Sequence, residues 1–208
     1  IAVELDNYYY SAAAHMSLTG ALSSATFSDA NGLVNWQRAI KSPQEITYMR
    51  RAARIVEAMH ARILELAEPG LRKNDLIAEI YATGIRGADG HWGDYPAIVP
   101  LLPSGSDAAA PHLTWDGRPF QGGEATFFEI SGCYRRYHAP ISRTIFLGEP
   151  SDMLKRAETA LAEGLDSAGI GAPFRTGIAA LPYCGSGSVS PQHVPRRWAC
   201  VCDRCPRA

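Results

Sequence analysis

The stretch that most constrains the fold is residues 125–146, in which Ala125–Ser131 reads as the best strand of the chain. Thr126, Phe128 and Ile130 alternate with Phe127 and Glu129, so an extended chain puts the first three on one face and the other two on the opposite face. Arg135-Arg136 is a polar reversal, after which residues 137–146 return as further strand. The pattern predicts two neighbouring antiparallel strands. Glu129 sits inside the apolar run, where a carboxylate is costly unless it is paired, coordinated or chemically employed.

Helical patterns precede and follow this pair. Ser42 is a good N-cap, Pro43 suits the first helical position, and Glu45 completes an S-x-x-E capping box. Ile46, Met49, Ala53, Val56 and Met59 then recur at helical spacing, and Glu68-Pro69-Gly70 stops the helix near Ala67. His60 reads as a histidine on the flank of this helix. A second helix starts near Asn74 or Asp75, with Leu76, Ile77, Ile80 and Tyr81 as its buried stripe, and Gly84, Gly87 and Gly90 break it. Residues 95–102 predict a strand that Pro96 and Pro100 confine to an edge. Residues 151–165 predict an amphipathic helix with Leu154, Ala157, Leu161 and Leu165 inward.

The ends of the chain differ in character. Residues 1–41 are mixed. Val3-Glu4-Leu5 and the three tyrosines Tyr8, Tyr9 and Tyr10 read as the last pieces of an α/β domain whose start precedes Ile1, and residues 33–36 read as a short strand. After Asp166 five prolines and four of the five cysteines follow without a convincing period. Cys200, Cys202 and Cys205 supply a single C-x-x-C, with His193 upstream, which is short of a zinc-finger spacing. The tail, 167–208, reads as disordered or as translation of a shifted frame. Cys133, alone in the body, reads as a small buried hydrophobe, consistent with a reduced, cytoplasmic protein.

Composition excludes several functions. A net charge of −1 over 208 residues favours neither nucleic acid nor an anionic membrane as partner. No run approaches eighteen apolar residues, so no transmembrane helix is expected, and the start carries no charged segment or cleavage site of a secretory signal.

The candidate chemistry lies at His112, in a Pro/Gly-rich loop, and at Glu129, seventeen residues on. Spacing alone favours a structural reading: a satisfied loop histidine, and a strand glutamate paired with Arg143 or Arg118. The strand context raises the functional one.

The same stretch resembles the creatinase, prolidase and aminopeptidase P family. The resemblance rests on Ser104-Gly105, His112, Gly123-Glu124, Glu129, Tyr137, Ala139-Pro140, Ser142, Arg143 and Thr144, and on the helix opening Lys41-Ser42-Pro43-Gln44-Glu45. It covers about residues 1–166. It implies an α+β architecture: residues 42–166 as the first half of a pita-bread catalytic domain, preceded by the end of an N-terminal α/β domain at 1–41. Metallopeptidase members carry aspartates at the positions of Glu129 and Pro140, and both ligate a pair of divalent ions. Glu129 could still ligate, whereas proline has no side-chain oxygen. The chain therefore resembles the metal-free members, with no metal and no cofactor expected.

Among those members the wording is most similar to the ectoine-hydrolysing ones, at 93–100, 110–116 and 128–138. That resemblance implies a small-molecule substrate, ectoine or hydroxyectoine, and a partner deacetylase that processes the N-acetyl-diaminobutyrate formed. It also implies a homodimer for the full-length form. Trp115, Tyr137 and His138 are candidates to line the substrate pocket, and Arg143 to be a structural partner for a carboxylate. Competing expectations are a metal-dependent Xaa-Pro peptidase, a creatinase-like amidinohydrolase, and an inactive fragment, since further active-site residues of such domains come from a second half that is not recognisable here.

Overall fold

The computed structural model describes residues 1–171 and 199–200, with side chains described as far as residue 164. It divides into two compact units, Ile1–Ser42 and the chain from Pro43 onward.

In the first unit β1 (Ala2–Val3) pairs in parallel with β2 (Ser28–Asp29), and α1 (Ala12–Ala21) connects them. Ser11 caps α1, its Oγ accepting from the Ala14 amide at 3.2 Å. Residues 33–36, expected as a strand, are the start of a helix, α2 (Leu33–Ala39). Gly32 takes φ +74°, and the Trp36 amide reaches back to its carbonyl at 2.8 Å. This local helical turn overrides the β-propensity of Leu33, Val34 and Trp36.

The second unit is built on α3 (Pro43–Leu66), whose Ala52, Ile55, Val56, Met59 and Ile63 are buried at helical spacing. α4 (Lys73–Arg86) packs beside it through Leu76, Ile77 and Ile80. Gly84 does not break α4, which runs on to Arg86. It lies where the following loop crosses the helix: a Cβ on Gly93 would sit 1.7 Å from the Gly84 carbonyl oxygen.

β3 (Ala125–Tyr134) and β4 (Tyr137–Phe146) form the expected antiparallel hairpin, in register from Ala125 opposite Phe146 to Tyr134 opposite Tyr137. Arg135 and Arg136 turn it with φ +48° and +66°. The guanidinium of Arg135 lies over the Tyr48 and Tyr134 rings and that of Arg136 over Tyr95, 3.9 Å from its centroid. Such stacking offsets left-handed backbone that non-glycine residues adopt at roughly 1 kcal/mol each. Thr126, Phe128 and Ile130 are buried in the core with α3. Gly132 allows that packing, because a Cβ there would stand 2.2 Å from the Ala52 carbonyl oxygen.

Two expectations fail here. Residues 95–102 form no strand; pairing with β3 is confined to isolated bridges from Leu101 to Glu129 and from Ser104 to Thr126. Pro96, Pro100 and Pro103 lack the amide hydrogens that a longer ladder requires. The last helix, α5 (Asp152–Gly171), extends beyond the expected boundary at 166. Its Leu154 is half-buried, but Ala157 and Leu161 are exposed, because α3 already occupies the apolar face of the hairpin. The side chain of Leu165 and the tail from 172, apart from β5 (Ala199–Cys200) along β4, lie outside what the structure describes. The zinc reading at Cys202, Cys205 and His193 lies outside them too.

Candidate functional site

The register of the hairpin decides which side chains Glu129 can meet. Glu129 stands opposite Ser142, and strand alternation places Phe127, Ser131, Pro140 and Thr144 on the same face. This face lies away from α3. Pro140, Ser142 and Thr144 are exposed, and Glu129 is half-buried. Among the described residues the Glu129 carboxylate has no hydrogen-bond or ion-pair partner.

Neither cation offered as its structural partner pairs with it. Arg143 stands opposite Phe128 on the other face, where its charge bears on His60 and its Nη1 donates to the Ser142 carbonyl at 2.8 Å. Arg118 is bound to Asp107 and Asp116.

The backbone of Glu129 is fixed firmly. Its amide donates to the Leu101 carbonyl at 3.2 Å, and the Leu101 amide donates to its carbonyl at 3.0 Å. The buried hydroxyls of Ser104 and Thr126, 2.7 Å apart, tie the same edge to β3. The next residue after Leu101 reaches the histidine loop: the Leu102 amide donates to the Leu113 carbonyl at 3.3 Å. His112 is exposed, one residue from that link, and is without a partner among the described residues. Glu129 and Leu113, the neighbour of His112, are thus bonded to consecutive residues of one edge segment.

The loop bearing His112 has its own supports. It leaves Ser104 as a 3₁₀ turn (Gly105–Ala109) and closes at Asp116. Asp116 Oδ1 accepts from the Arg118 amide at 2.8 Å, and Oδ2 accepts from Arg118 Nε at 2.7 Å. This guanidinium also binds Asp107, and it holds the Asp116 carboxyl below the usual carboxylate range. Sequence reasoning missed this cluster, although an Asp-Gly turn followed by arginine signals it.

Other candidates stand elsewhere. Trp115 meets the Tyr81 ring edge-on at 6.2 Å and packs against the core. Tyr137 lies on the α3 face, its hydroxyl donating to Glu45 at 2.9 Å and its ring 5.5 Å from that of Tyr48. The register therefore does not bring Tyr137 to the face of Glu129. His138 does share that face, opposite Cys133, but about 13 Å along the ladder at ~3.3 Å per residue. Its Nε2 accepts from the Ala97 amide at 2.9 Å, so its ring proton is on Nδ1 and it fastens the irregular segment to the sheet. Cys133 is buried and free, its thiol pushed up by burial. His60, expected on a flank, is half-buried; burial and the charge of Arg143 push it down to about 4.

Comparison with known proteins places this arrangement. The sequence profile of metallopeptidase family M24 matches residues 47–176. The chain belongs to this family. It is 60% identical over 176 residues to the ectoine hydrolase of Halomonas elongata, covering 80% of this chain and 43% of that enzyme. It is 38% identical to an uncharacterized hydrolase/peptidase of Sinorhizobium fredii, with 80% of this chain and 43% of that protein covered. Among solved structures, the Xaa-Pro dipeptidase of Bacillus anthracis superposes with a TM-score of 0.70 at 26% identity, over 82% of this chain and 46% of that one. The hairpin with α3 and α4 is part of the pita-bread fold of the family. The chain spans less than half the length of these curated relatives.

A paired-metal centre of the metallopeptidase kind would lack one carboxylate ligand on this hairpin. The position diagonal to Glu129 across the ladder is Pro140, which offers no oxygen.

Proposed function

We propose that this chain carries the His112–Glu129 part of an active site that opens the cyclic amidine ring of ectoine or hydroxyectoine without a metal ion. The observation that carries the reading is the 60% identity to the Halomonas elongata ectoine hydrolase across a region that includes both residues. The unpartnered carboxylate of Glu129 on an open face supports it.

The chemistry suits a carboxylate and a histidine. A cyclic amidine is protonated and planar at neutral pH, so Glu129 is its natural counter-ion through charge-assisted hydrogen bonds. Its central carbon is already electrophilic. Water, deprotonated by Glu129, adds to that carbon, or Glu129 adds first and water then displaces it. His112 delivers a proton to one ring nitrogen, the bond from carbon to that nitrogen breaks, and the other nitrogen keeps the acetyl group as an amide. The product, an N-acetyl-diaminobutyrate, calls for a deacetylase as functional partner. A homodimeric, cytoplasmic enzyme accords with this reading.

The second reading is a metal-dependent Xaa-Pro peptidase, favoured by the structural likeness to the Bacillus anthracis dipeptidase. Pro140 speaks against it, because a bridging carboxylate is absent where such a centre needs one. The test is a chimera in which residues 1–166 replace the matching part of the Halomonas elongata enzyme. Ectoine consumption by the chimera, lost on replacing His112 or Glu129, supports the proposal. Cleavage of an Xaa-Pro dipeptide in place of ectoine overturns it.

A further inference from the structure

Two carboxylates bracket the histidine loop, and one arginine holds both. Asp107 lies five residues before His112 and Asp116 four residues after it. The Arg118 guanidinium bonds Asp107 Oδ2 and, at 2.5 Å, Asp116 Oδ2. Asp116 is in turn 3.9 Å from the ammonium of Lys73, which is 4% exposed at the start of α4. The Lys73 amide donates to the Arg118 carbonyl at 3.1 Å, so the start of α4 is also joined to Arg118 through the main chain. The four charges alternate in sign from Asp107 through Arg118 and Asp116 to Lys73. A loop that would otherwise bring two carboxylates together is closed on the buried edge of the helix pair.

We propose that Arg118 is a positioning residue for His112: by clasping Asp107 and Asp116, and through Asp116 engaging Lys73, it fixes the loop so that the imidazole is held beside the edge segment that pairs with Glu129. The inference rests on the proposed role of His112. Arg118 and Asp116 are accessible to solvent, so the clasp adds little to global stability; its effect is on the order of the loop. Among the described residues the Leu102–Leu113 and Arg72–Gly117 hydrogen bonds and the Trp115–Tyr81 contact attach the loop after His112, and the Ser104–Thr126 hydroxyl pair anchors its start. Between Ser104 and His112 the clasp on Asp107 is the side-chain tie, among the described residues, that reaches beyond the 3₁₀ turn itself.

Hydrogen exchange and histidine NMR on the full chain test this directly. In Arg118→Met, amides at 107–113 exchange at least tenfold faster, those of β3 and β4 keep their rates, and the His112 ring resonance, identified with His112→Asn, moves toward that of an unstructured peptide. Arg118→Lys restores part of both effects, since an ammonium can bind one carboxylate but not bridge two with a planar fork. High salt reproduces the exchange change in the unaltered chain. Unchanged exchange at 107–113, a uniform rise across the hairpin, or an unmoved His112 resonance overturns the proposal. Failure of the functional reading shows separately: His112→Asn then leaves ectoine consumption by the chimera intact, whatever the exchange rates.

Discussion

Glu129 and Leu101 exchange both of their main-chain hydrogen bonds, at 3.2 and 3.0 Å, while the Glu129 side chain has no partner among the described residues. The strand position is thus secured by the backbone, and the carboxylate is spared a structural task. Replacing Glu129 by Gln keeps the size and the ladder and removes the charge. In the chimera this variant loses at least roughly a hundredfold in kcat, the scale of a lost acid/base group, with an unchanged Tm. A Tm that falls together with kcat would show that the carboxylate is structural.

His60 gives the hairpin a dependence on acid. Its folded-state value of about 4 lies below the ordinary 6.5, so the neutral ring belongs to the folded chain. As pH falls below 6.5 the unfolded chain takes up a proton that the folded chain refuses, and stability declines until the pH passes below about 4, where the folded form is protonated too. The decline is about 1–3 kcal/mol, allowing for partial solvation of the half-buried ring. Urea unfolding at pH 7, 5.5 and 4.5 measures it. His60→Gln removes this part of the slope, and Arg143→Met reduces it. Parallel curves for all three proteins would contradict the assignment.

Gly132 is where α3 meets β3 most closely. An added Cβ would lie 2.2 Å from the Ala52 carbonyl oxygen and 2.7 Å from the Val56 amide nitrogen, and neither backbone group can swing aside. Gly132→Ala therefore destabilises by about 2–4 kcal/mol, as overpacking against rigid backbone does. Gly20, in α1, is the control, since a Cβ added there meets nothing within 4 Å. Gly20→Ala is neutral or stabilises by a few tenths to about 1 kcal/mol. Chemical denaturation of the two variants distinguishes a close backbone approach from a general intolerance of alanine.

Much of this was legible in sequence because the hairpin and α3 obey simple periods. Alternation through Thr126, Phe128 and Ile130 defined the apolar face, and Pro43 with Glu68-Pro69-Gly70 bounded the helix. The same alternation separates Glu129 from Arg143, since adjacent positions in opposed strands face opposite sides once Glu129 pairs with Ser142. What sequence did not reveal depended on that register. Tyr137 has the character of a pocket residue but faces Glu45, and Arg143 has that of a carboxylate partner but bears on His60. Residues 95–102 carry strand-forming side chains, but their prolines leave pairing to Leu101 and Ser104. Residues 33–36 depart from their β-propensity because one left-handed glycine sets the helix that follows it. The Asp107–Arg118–Asp116 clasp joins residues up to eleven apart through a loop without periodicity; the Asp116-Gly117-Arg118 turn signals its near half, and nothing in the pattern signals Asp107.

The most direct test of the central claim is ectoine consumption by the chimera after exhaustive chelation, followed by readdition of Mn²⁺, Zn²⁺ or Co²⁺. The account predicts that the rate survives chelation and does not rise with any of the three, because Pro140 leaves no bridging carboxylate beside Glu129. Activity that vanishes on chelation and returns with a metal would contradict it.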